Sequence, residues 1–325
     1  MDTERIPVLF GLSLPGSLTE LKGGHINRTF LASCGGKRYI LQSLNREVFH
    51  RPQEVMENIS RIEAAFALSE EAVRIPHYLT ANAQNYVTVG GEVWRMYEYI
   101  GSEQSPQADD DSLIGTAFGA FLRIIEDVKL TEPIEHFHDY TAYFSRLELL
   151  SGGRADRAVM SRLWTLGERL SKAFGSVPKR NTHGDAKADN VIIGERYTVI
   201  DLDTSMEGYA AFDFGDMIRS VSGLPADISR IKKVTEGFAE GLGGVLAAAE
   251  EESLYCGILY AVGELAVRYL TDLYSEKPYF RGKTPQQCRL RALELMAQLD
   301  IFEKSEAAIR GIIDDSFRKI QHFKG

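Results

Sequence analysis

The segment THGDAKADNVIIGERYTVIDLDT, residues 182–204, constrains the fold more than any other part of the chain. Its second half contains two short β-type stretches, NVIIG and YTVIDLD, although the patterns on either side of the segment are helical. A loop rich in charged side chains precedes these two stretches. The segment therefore predicts a β-hairpin that is inserted among helices and follows a polar loop.

The polar residues of this segment have the types and spacings that phosphoryl transfer to an alcohol requires. Such a reaction needs a carboxylate that orients the hydroxyl and accepts its proton, a cation on the transferred phosphate, and oxygen ligands for Mg²⁺. Asp185 suits the first role and Lys187 the second. Asn190 and Asp201 suit the third. Asp203 shares a strand face with Asp201, roughly 6.6 Å further along, and is another candidate metal ligand.

Each of these fragments also has a purely structural interpretation. A His-Gly-Asp sequence is common in tight turns, and aspartate-rich loops are often solvated caps. The complete set, with a hairpin between Asn190 and Asp201, favours a catalytic site.

The loop and hairpin resemble the H-G-D-x-x-x-x-N and I-D-x-D signatures of the aminoglycoside phosphotransferase and choline kinase superfamily. Further stretches are similar to N-acetylhexosamine 1-kinases and related sugar kinases of that superfamily: GGHINRTF, RYILQSLN, WRMYEYI, EPIEHFHDY, VIDLDTSMEGYAAFDFGDMIRS and VRYLTDLYSEKPYF. The resemblance implies a bilobal α+β fold like that of protein kinases, with a β-rich N-terminal lobe and a mostly helical C-terminal lobe. It also implies an enzyme that uses ATP and Mg²⁺ to phosphorylate a small alcohol.

The rest of the chain predicts the same two lobes. Short apolar stretches between Ser17 and Leu44 are separated by glycine pairs, which is typical of hairpins. Residues 52–70 follow with helical spacing, and NYVTV and EVWRMYEYI predict another hairpin. The acidic, proline-containing stretch GSEQSPQADDD then precedes mostly helical patterns. We therefore expect a nucleotide-binding lobe at residues 1–104 and a catalytic and acceptor-binding lobe at residues 105–325.

The tripeptide Asp213-Phe214-Gly215 matches the DFG motif that holds magnesium in protein kinases, but its spacing does not fit. In protein kinases the metal-binding aspartate lies about a dozen residues after the catalytic-loop asparagine. Here Asp201 lies 11 residues after Asn190, whereas Asp213 lies 23 residues after it. We therefore expect Asp201 to bind the metal. Asp213 and Asp216 are both expected to organise the lobe or to face the acceptor, and a helix cap or a buried hydrogen-bonding role is the alternative for Asp213.

Two parts of the N-terminal lobe are expected to contact the nucleotide. The glycine-containing loop between the first strands permits close approach of backbone N–H groups to phosphates. The end of WRMYEYI falls where the adenine of the related kinases lies against the connection between the lobes. The expected nucleotide contacts are Gly23, Gly24, Asn27, Gln42, Glu98, Tyr99 and Ile100.

Gln42 departs from the pattern of protein kinases, which carry a lysine on the third strand. A neutral amide donates a hydrogen bond but supplies no charge to the α- and β-phosphates. The glutamine is similar to that of the sugar-kinase branch, yet it also leaves open a weakened nucleotide site or a non-catalytic nucleotide-binding module. Glu54 and Glu57 lie on the following helix, where a solvated position is expected for both.

The acceptor is expected to lie against the helical pattern ELAVRYLTDLYSEKPYF. The resemblance to hexosamine kinases places Arg268 and Tyr279 against the sugar, although both side chains could instead pack the lobe. Asp185 and Asp216 are the other expected acceptor contacts. The expected acceptor is a sugar hydroxyl, C1 of an N-acetylhexosamine. An aminoglycoside, choline-like or amino-alcohol acceptor stays open because the chain is acidic overall.

Composition argues against several other functions. A net charge of −9, a pI near 5.4 and no Lys/Arg run longer than two give no footprint for nucleic acid or an anionic membrane. No stretch approaches the roughly 20 apolar residues of a membrane span, and MDTERIPVLF lacks a targeting pattern, so a cytoplasmic protein is expected. Three scattered cysteines indicate neither a disulfide framework nor a zinc site. His136 and His138 are expected to pack or to contact substrate rather than to bind a metal. No feature predicts the oligomeric state.

Overall fold

The computed structural model describes residues 2–21, 26–101, 110–194, 197–244, 246–280 and 282–323. A β-rich N-terminal lobe and a mostly helical C-terminal lobe are both present, which confirms the fold class predicted from the sequence. Gly23 and Gly24 lie outside the described residues, as does the lobe boundary expected after residue 104.

The N-terminal lobe is built on an antiparallel sheet. The strands of the described residues are β1 (Ser17–Glu20), β2 (Arg28–Cys34), β3 (Lys37–Ser43), β4 (Val73–Arg74), β5 (Val87–Val89), β6 (Glu92–Glu98), β7 (Arg180–Thr182), β8 (Val191–Ile193), β9 (Tyr197–Val199) and β10 (Met206–Gly208). The sheet has the order β1-β2-β3-β6-β5. The hairpins predicted between Ser17 and Leu44 and around Gly90 are its β2–β3 and β5–β6 pairs.

The helices of the described residues are α1 (Ile6–Leu9), α2 (Pro52–Ala67), α3 (Asp111–Ile124), α4 (Tyr140–Ser151), α5 (Arg157–Phe174), α6 (Ala210–Ser222), α7 (Ile228–Leu242), α8 (Ala248–Tyr274), α9 (Pro285–Lys304) and α10 (Glu306–Phe323). The predicted helix at residues 52–70 is α2, which has a proline in its first turn, where a missing N–H leaves no hydrogen bond unmade. All the helices from α3 onward belong to the C-terminal lobe.

The two faces of the N-terminal sheet have different partners. Leu41, Trp94 and Met96 belong to an apolar cluster with α1 on the outer face. Successive side chains of a strand point to opposite faces, so Gln42 and Arg95 face the C-terminal lobe. These two residues are direct partners in the register of β3 and β6.

The lobes are joined by more than the chain connection. Strand β4 of the N-terminal lobe pairs in parallel with β9, which forms the predicted hairpin with β8 in the C-terminal lobe. The buried amide of Asn58 on α2 donates to the backbone carbonyls of Thr131 and Ser205 at 2.9 and 3.1 Å. One apolar core cluster includes residues of both lobes, among them Ile59 of α2 and Phe118 of α3. The cleft between the lobes therefore has a continuous packed floor.

Helices α3 and α7 touch backbone to backbone because glycines line their interface. Gly115 and Gly119 on α3 lie against α7, and Gly237 and Gly241 on α7 lie against α3. A Cβ atom added to Gly237 would lie 1.9 Å from the carbonyl oxygen of Ser112, far inside any permitted contact. This close approach positions α3 beneath the loop that follows β7 and contains Asp185. The ring of Phe118 on α3 lies edge-on to the ring of His183 in that loop.

The first prediction concerns this helix pair. Gly237→Ala should destabilise the protein by about 1–3 kcal/mol, because the added methyl group can be accommodated only if α3 and α7 move apart. Gly311→Ala is the matched control, since a Cβ atom there meets nothing within 4 Å in the exposed face of α10. The control should be neutral or stabilising by about 0.5–1 kcal/mol, because alanine favours helix over glycine. Urea unfolding of the three proteins measures both effects, and equal stability of Gly237→Ala and the parent would contradict the packing described.

Cys34, Cys256 and Cys288 are free and buried. Within the described ranges, no helix has both the length and the apolar character needed to cross a membrane. Because the three cysteines are free and buried, they contribute packing to the fold rather than cross-links.

Candidate active site

Asp185, Lys187 and Asn190 converge in the loop after β7. The Lys187 ammonium contacts the Asp185 carboxylate at 2.5 Å. The side-chain nitrogen of Asn190 donates to the same carboxylate oxygen at 3.0 Å and to the Asp185 backbone carbonyl at 2.8 Å. The amide oxygen of Asn190, the atom that a metal would need, takes no part in these two bonds. The spacing in the sequence thus brings together the three side chains that it predicted to act together.

Asp185 is held in its charged form. Burial alone would raise the pKa of the carboxyl, but the adjacent Lys187 ammonium outweighs burial and lowers the pKa below its ordinary value. Asp185 and Lys187 both line two cavities, one of about 260 Å³ against α8 and one of about 340 Å³ beneath the N-terminal sheet. A charged carboxylate therefore lies at the junction of two chambers that could hold two reactants.

Asp201 lies at the end of β9 in the cavity beneath the sheet, together with Asn190. Its backbone is left-handed, with φ of 65°, a conformation that aspartate tolerates better than most residues. Burial, with the negative charges of Asp203 and Asp185, raises its pKa to about 7. A cation bound nearby would favour the charged form of this carboxylate.

The donor set around Asp201 fits Mg²⁺, which prefers hard oxygen ligands. Within the described residues there is no group of three or more His, Cys, Asp or Glu side chains placed to hold a metal by themselves. This is compatible with magnesium, which is usually bound through one or two carboxylates plus phosphate oxygens and water. That Asn190 and Asp201 bind the metal stays a prediction.

Asp203 points to the N-terminal lobe. One of its carboxylate oxygens accepts a hydrogen bond from Asn27 at 2.7 Å, and the other forms an ion pair with Arg95. Asn27 in turn accepts a hydrogen bond from the backbone N–H of Asn45 at 3.0 Å. Asn27 and Asp203 were predicted as a nucleotide contact and a metal ligand, and the structure shows them bound to each other across the cleft.

Arg95 is a member of this cluster that the sequence did not reveal. Its side chain is 1% exposed, and its Nε donates to the Gln42 side-chain oxygen at 2.9 Å. Gln42 donates to the Thr29 hydroxyl at 3.0 Å. Only the pairing of β3 with β6 brings Arg95 next to Gln42, so knowledge of the strand register would have been needed to find it.

The connection after β6 is held through its backbone. The Tyr99 N–H donates to the Arg38 carbonyl at 2.9 Å, and the Arg38 guanidinium lies 4.4 Å from the centre of the Tyr99 ring. Glu98 is exposed and pairs with Lys37 at 3.0 Å, and Ile100 is half-buried. The roles predicted for Glu98, Tyr99 and Ile100 depend on backbone contacts with a nucleotide and stay predictions.

Asp213 supports the loop that carries Asp185. It lies in the first turn of α6, is buried, and accepts hydrogen bonds from the backbone N–H groups of His183 and Gly184 at 2.7 and 2.8 Å. Burial raises its pKa to about 7 although these two bonds oppose the shift. The carboxylate therefore fixes the two residues before Asp185, in agreement with the alternative of a buried hydrogen-bonding role.

The expected acceptor residues line the cavity against α8. Asp185, Asp216, Arg268 and Tyr279 all belong to its wall. The Arg268 guanidinium lies 4.5 Å from the centre of the Tyr279 ring and 3.3 Å from Glu264. The structure therefore brings together all four residues predicted to contact the acceptor.

His138 connects this wall to the loop that carries Asp185. Its Nδ1 lies 2.8 Å from a Glu264 carboxylate oxygen, and its Nε2 lies 2.8 Å from the Gly184 carbonyl oxygen. Both neighbours are acceptors, so the ring is an imidazolium that donates from both nitrogens. Burial opposes this charge, but Glu264 outweighs burial and raises the pKa of His138 to about 9. His138 thus packs against the loop, as expected, and has no nitrogen left for a metal.

The second prediction follows from the raised pKa of His138. A raised pKa adds stability that is complete below the unfolded value near 6.5 and disappears as the pH rises through about 9. We expect His138→Gln to lose up to about 3 kcal/mol of stability relative to the parent at pH 6. The loss should shrink at pH 9.5, where the parent histidine is neutral.

Urea unfolding of both proteins at the two pH values measures this effect. His136→Gln is the control, because His136 is exposed and its ion pair is a local one with Asp139, at 3.1 Å. A stability difference for His138→Gln that is the same at both pH values would show that the imidazolium charge is unimportant.

A sheet lobe over a helical lobe, with an H-G-D loop and an I-D-x-D hairpin at the cleft, defines a phosphotransferase of the protein-kinase-like class. A model of the phosphotransferase enzyme family, APH, matches residues 17–273. The chain belongs to this family, and it is a small-molecule phosphotransferase that acts on hydroxyl acceptors.

Solved structures share the fold over nearly the whole chain. A microcompartment-associated aminopropanol kinase has a TM-score of 0.71 and 20% identity, covering 94% of this chain and 97% of its own. A choline/ethanolamine kinase family protein from Mesorhizobium loti has a TM-score of 0.66 and 16% identity, covering 94% and 95%. A spectinomycin phosphotransferase, in complex with ADP and spectinomycin, has a TM-score of 0.60 and 14% identity, covering 96% of each chain. At these identities the likeness concerns the fold alone.

Proposed function

We propose that the protein is an ATP- and Mg²⁺-dependent kinase that transfers the γ-phosphoryl group to a sugar hydroxyl, C1 of an N-acetylhexosamine. Residues 1–104 form the nucleotide-binding lobe and residues 105–325 the catalytic and acceptor-binding lobe of this proposal. A cytoplasmic location, where ATP is available, belongs to it as well. The nucleotide occupies the cavity beneath the N-terminal sheet, and the sugar occupies the cavity against α8.

The junction of the two cavities supports this division of roles. Asp185 and Lys187 line both cavities, so a donor in one and an acceptor in the other would meet at these side chains. Asp185 orients the acceptor hydroxyl and takes its proton, and Lys187 stabilises the charge on the transferred phosphoryl group. Mg²⁺ held by Asn190 and Asp201 would neutralise negative charge on the phosphates.

The single observation that favours a sugar is the state of the carboxylates around the acceptor cavity. Asp216 forms an ion pair with Arg219 at 2.8 Å, and Glu264 lies between His138 and Arg268. Asp185 is paired with Lys187. To pair with any of these three carboxylates, a cationic acceptor would have to displace an internal cation. A neutral polyhydroxyl compound needs only hydrogen-bond donors and acceptors in a fixed arrangement, which paired side chains provide.

Arg268 and Tyr279 suit the same acceptor. The stacked guanidinium and ring form a flat, partly apolar wall with N–H donors at its edge. Asp272 on α8 accepts hydrogen bonds from the backbone N–H groups of Tyr279 and Phe280 at 2.9 and 2.7 Å, which fixes the position of that wall. A sugar ring presents apolar C–H faces and polar edges, and this wall matches both.

A second candidate is a kinase of amino alcohols, choline-like compounds or aminoglycosides. Asp189 favours it, because this exposed carboxylate lines both cavities and could hold an ammonium group. The fold is also shared with an aminopropanol kinase, a choline/ethanolamine kinase family protein and a spectinomycin phosphotransferase. Asp189→Asn would weaken the use of a cationic acceptor selectively.

The third prediction separates the two candidates by an acceptor panel. With Mg·ATP, N-acetylglucosamine and N-acetylgalactosamine should be phosphorylated with a higher kcat/KM than choline, 1-amino-2-propanol or spectinomycin. Phosphorus NMR should show a sugar 1-phosphate, whose phosphorus couples to the anomeric proton. Faster phosphorylation of any of the cationic acceptors would favour the second candidate, and phosphate at another sugar carbon would correct the position.

The fourth prediction concerns the catalytic carboxylate. Asp185→Asn should lower kcat by about 10²- to 10⁴-fold, since an amide of the same size cannot accept the hydroxyl proton. Calorimetric titration with Mg·ATP should show nucleotide affinity within a few-fold of the parent. Asp127→Asn, at an exposed aspartate after α3, is the control and should leave kcat unchanged. Near-parental turnover of Asp185→Asn would remove this residue from the mechanism.

A further inference from the structure

The cleft-facing side of the N-terminal sheet lacks the lysine that protein kinases place on the third strand, because Gln42 occupies that position. The C-terminal side of the same cavity carries Asp185, Asp201 and Asp203. The phosphates of a nucleoside triphosphate would add several more negative charges between the sheet and these carboxylates. Binding of its phosphates therefore requires a cation on the sheet side as well as any metal on the carboxylate side.

Arg95 meets this requirement from the neighbouring strand. It is the register partner of Gln42 across β3 and β6, so both side chains leave the sheet on the same face at the same level. Arg95 also lines the cavity that contains Asn190 and Asp201. Within the described wall of that cavity, Arg95 and Lys187 are the two permanently cationic side chains. They lie on opposite lobes.

The guanidinium is fixed by two separate partners. Its Nε donates to Gln42 at 2.9 Å, and one Nη forms the ion pair with Asp203. An arginine has five N–H donors in a rigid planar arrangement, which these two contacts do not exhaust, and the 1% exposed side chain can meet a ligand only through the cavity that it lines. Pairs of guanidinium N–H groups match the oxygens of a phosphate. Gln42 is thus suited to orient the cation on the next strand rather than to replace the missing charge.

The carboxylate that pairs with the sheet-side cation also comes from a different element than in protein kinases. In protein kinases a glutamate on the helix after the third strand pairs with the strand lysine. Here Glu54 and Glu57 on α2 pair with Arg51 and Arg61 at the surface, and the same helix instead places the sulfur of Met56 3.9 Å from an Arg95 nitrogen. The carboxylate beside Arg95 comes from Asp203 in the other lobe.

We propose that Arg95 is the phosphate-binding cation of the N-terminal lobe, oriented by Gln42 and Asp203. This inference rests on the proposed use of ATP. It gives Asp203 a positioning role at the phosphates instead of direct metal ligation, since both of its oxygens already have N-terminal-lobe donors. The carboxylate that orients Arg95 belongs to the other lobe, so phosphate binding in this proposal depends on the ion pair between the lobes.

Calorimetric titration of Mg·ATP, and separately of adenosine, tests the proposal without reference to turnover. Arg95→Met should weaken Mg·ATP binding about tenfold or more, the effect of losing a hydrogen-bonded charge, and leave adenosine binding within about twofold. Arg95→Lys keeps the charge without the paired donors and should be intermediate. Arg74→Met, at an exposed arginine of β4, is the matched control and should change neither titration.

A double variant that moves the positive charge from β6 to β3 tests the proposal even if Arg95→Met folds poorly. The double variant Gln42→Lys with Arg95→Gln returns the cation to β3 and should recover Mg·ATP affinity to within about fivefold of the parent, with a parental thermal unfolding curve. Equal loss of ATP and adenosine binding in Arg95→Lys, or a well-folded transposed variant with no recovery, would make Arg95 a structural link between the lobes only. Mg·ATP is titrated into the parent protein first. Absence of binding there would contradict the proposed function itself rather than the role of Arg95.

Discussion

The cleft of this phosphotransferase depends on one buried charge, the Asp203 carboxylate, which binds Arg95 and Asn27 of the opposite lobe. Removal of two ions from water is expensive, so such a pair contributes little net stability compared with an apolar contact. Breaking it would nevertheless leave an unpaired buried charge, and this asymmetry enforces geometry. The pair therefore favours one position of the sheet over the hairpin that carries Asp201. A molecule that binds in the cleft therefore meets two walls whose relative position is already set.

The same physical device recurs on the acceptor side. His138 and Glu264 form a second buried ion pair, and His138 also donates to the Gly184 carbonyl next to Asp185. Asp213 holds the amide of Gly184 from the other direction. The peptide groups before the Asp185 carboxylate are thus hydrogen-bonded to side chains from two parts of the lobe, His138 and Asp213. A loop, normally the least ordered kind of segment, acquires the rigidity that in-line transfer demands.

The sequence predicted what depends on local spacing and failed where distant segments meet. Glycine pairs and alternating apolar residues marked the hairpins, and the intervals among Asp185, Asn190 and Asp201 marked a polar loop and hairpin that the structure brings together in one cavity, because each lies within one short stretch. Arg95 and Asp203 are 108 residues apart, and no local pattern reports that β6 places one beside the other. His138 and Glu264 are 126 residues apart, so the histidine gave no sign of its partner.

The parallel pairing of β4 with β9 has a mechanical consequence. A strand of the N-terminal lobe is hydrogen-bonded to the hairpin beneath the cleft and would act as a pivot, since sliding the lobes past each other would break the backbone hydrogen bonds between β4 and β9. Motion of the sheet lobe is then a tilt about this line rather than a free separation. The lip of the cleft at β1, the edge strand of the sheet, would move furthest. Reactants would enter and leave by that lip while the floor of the cleft stays assembled, so each turnover begins from a site that is already built.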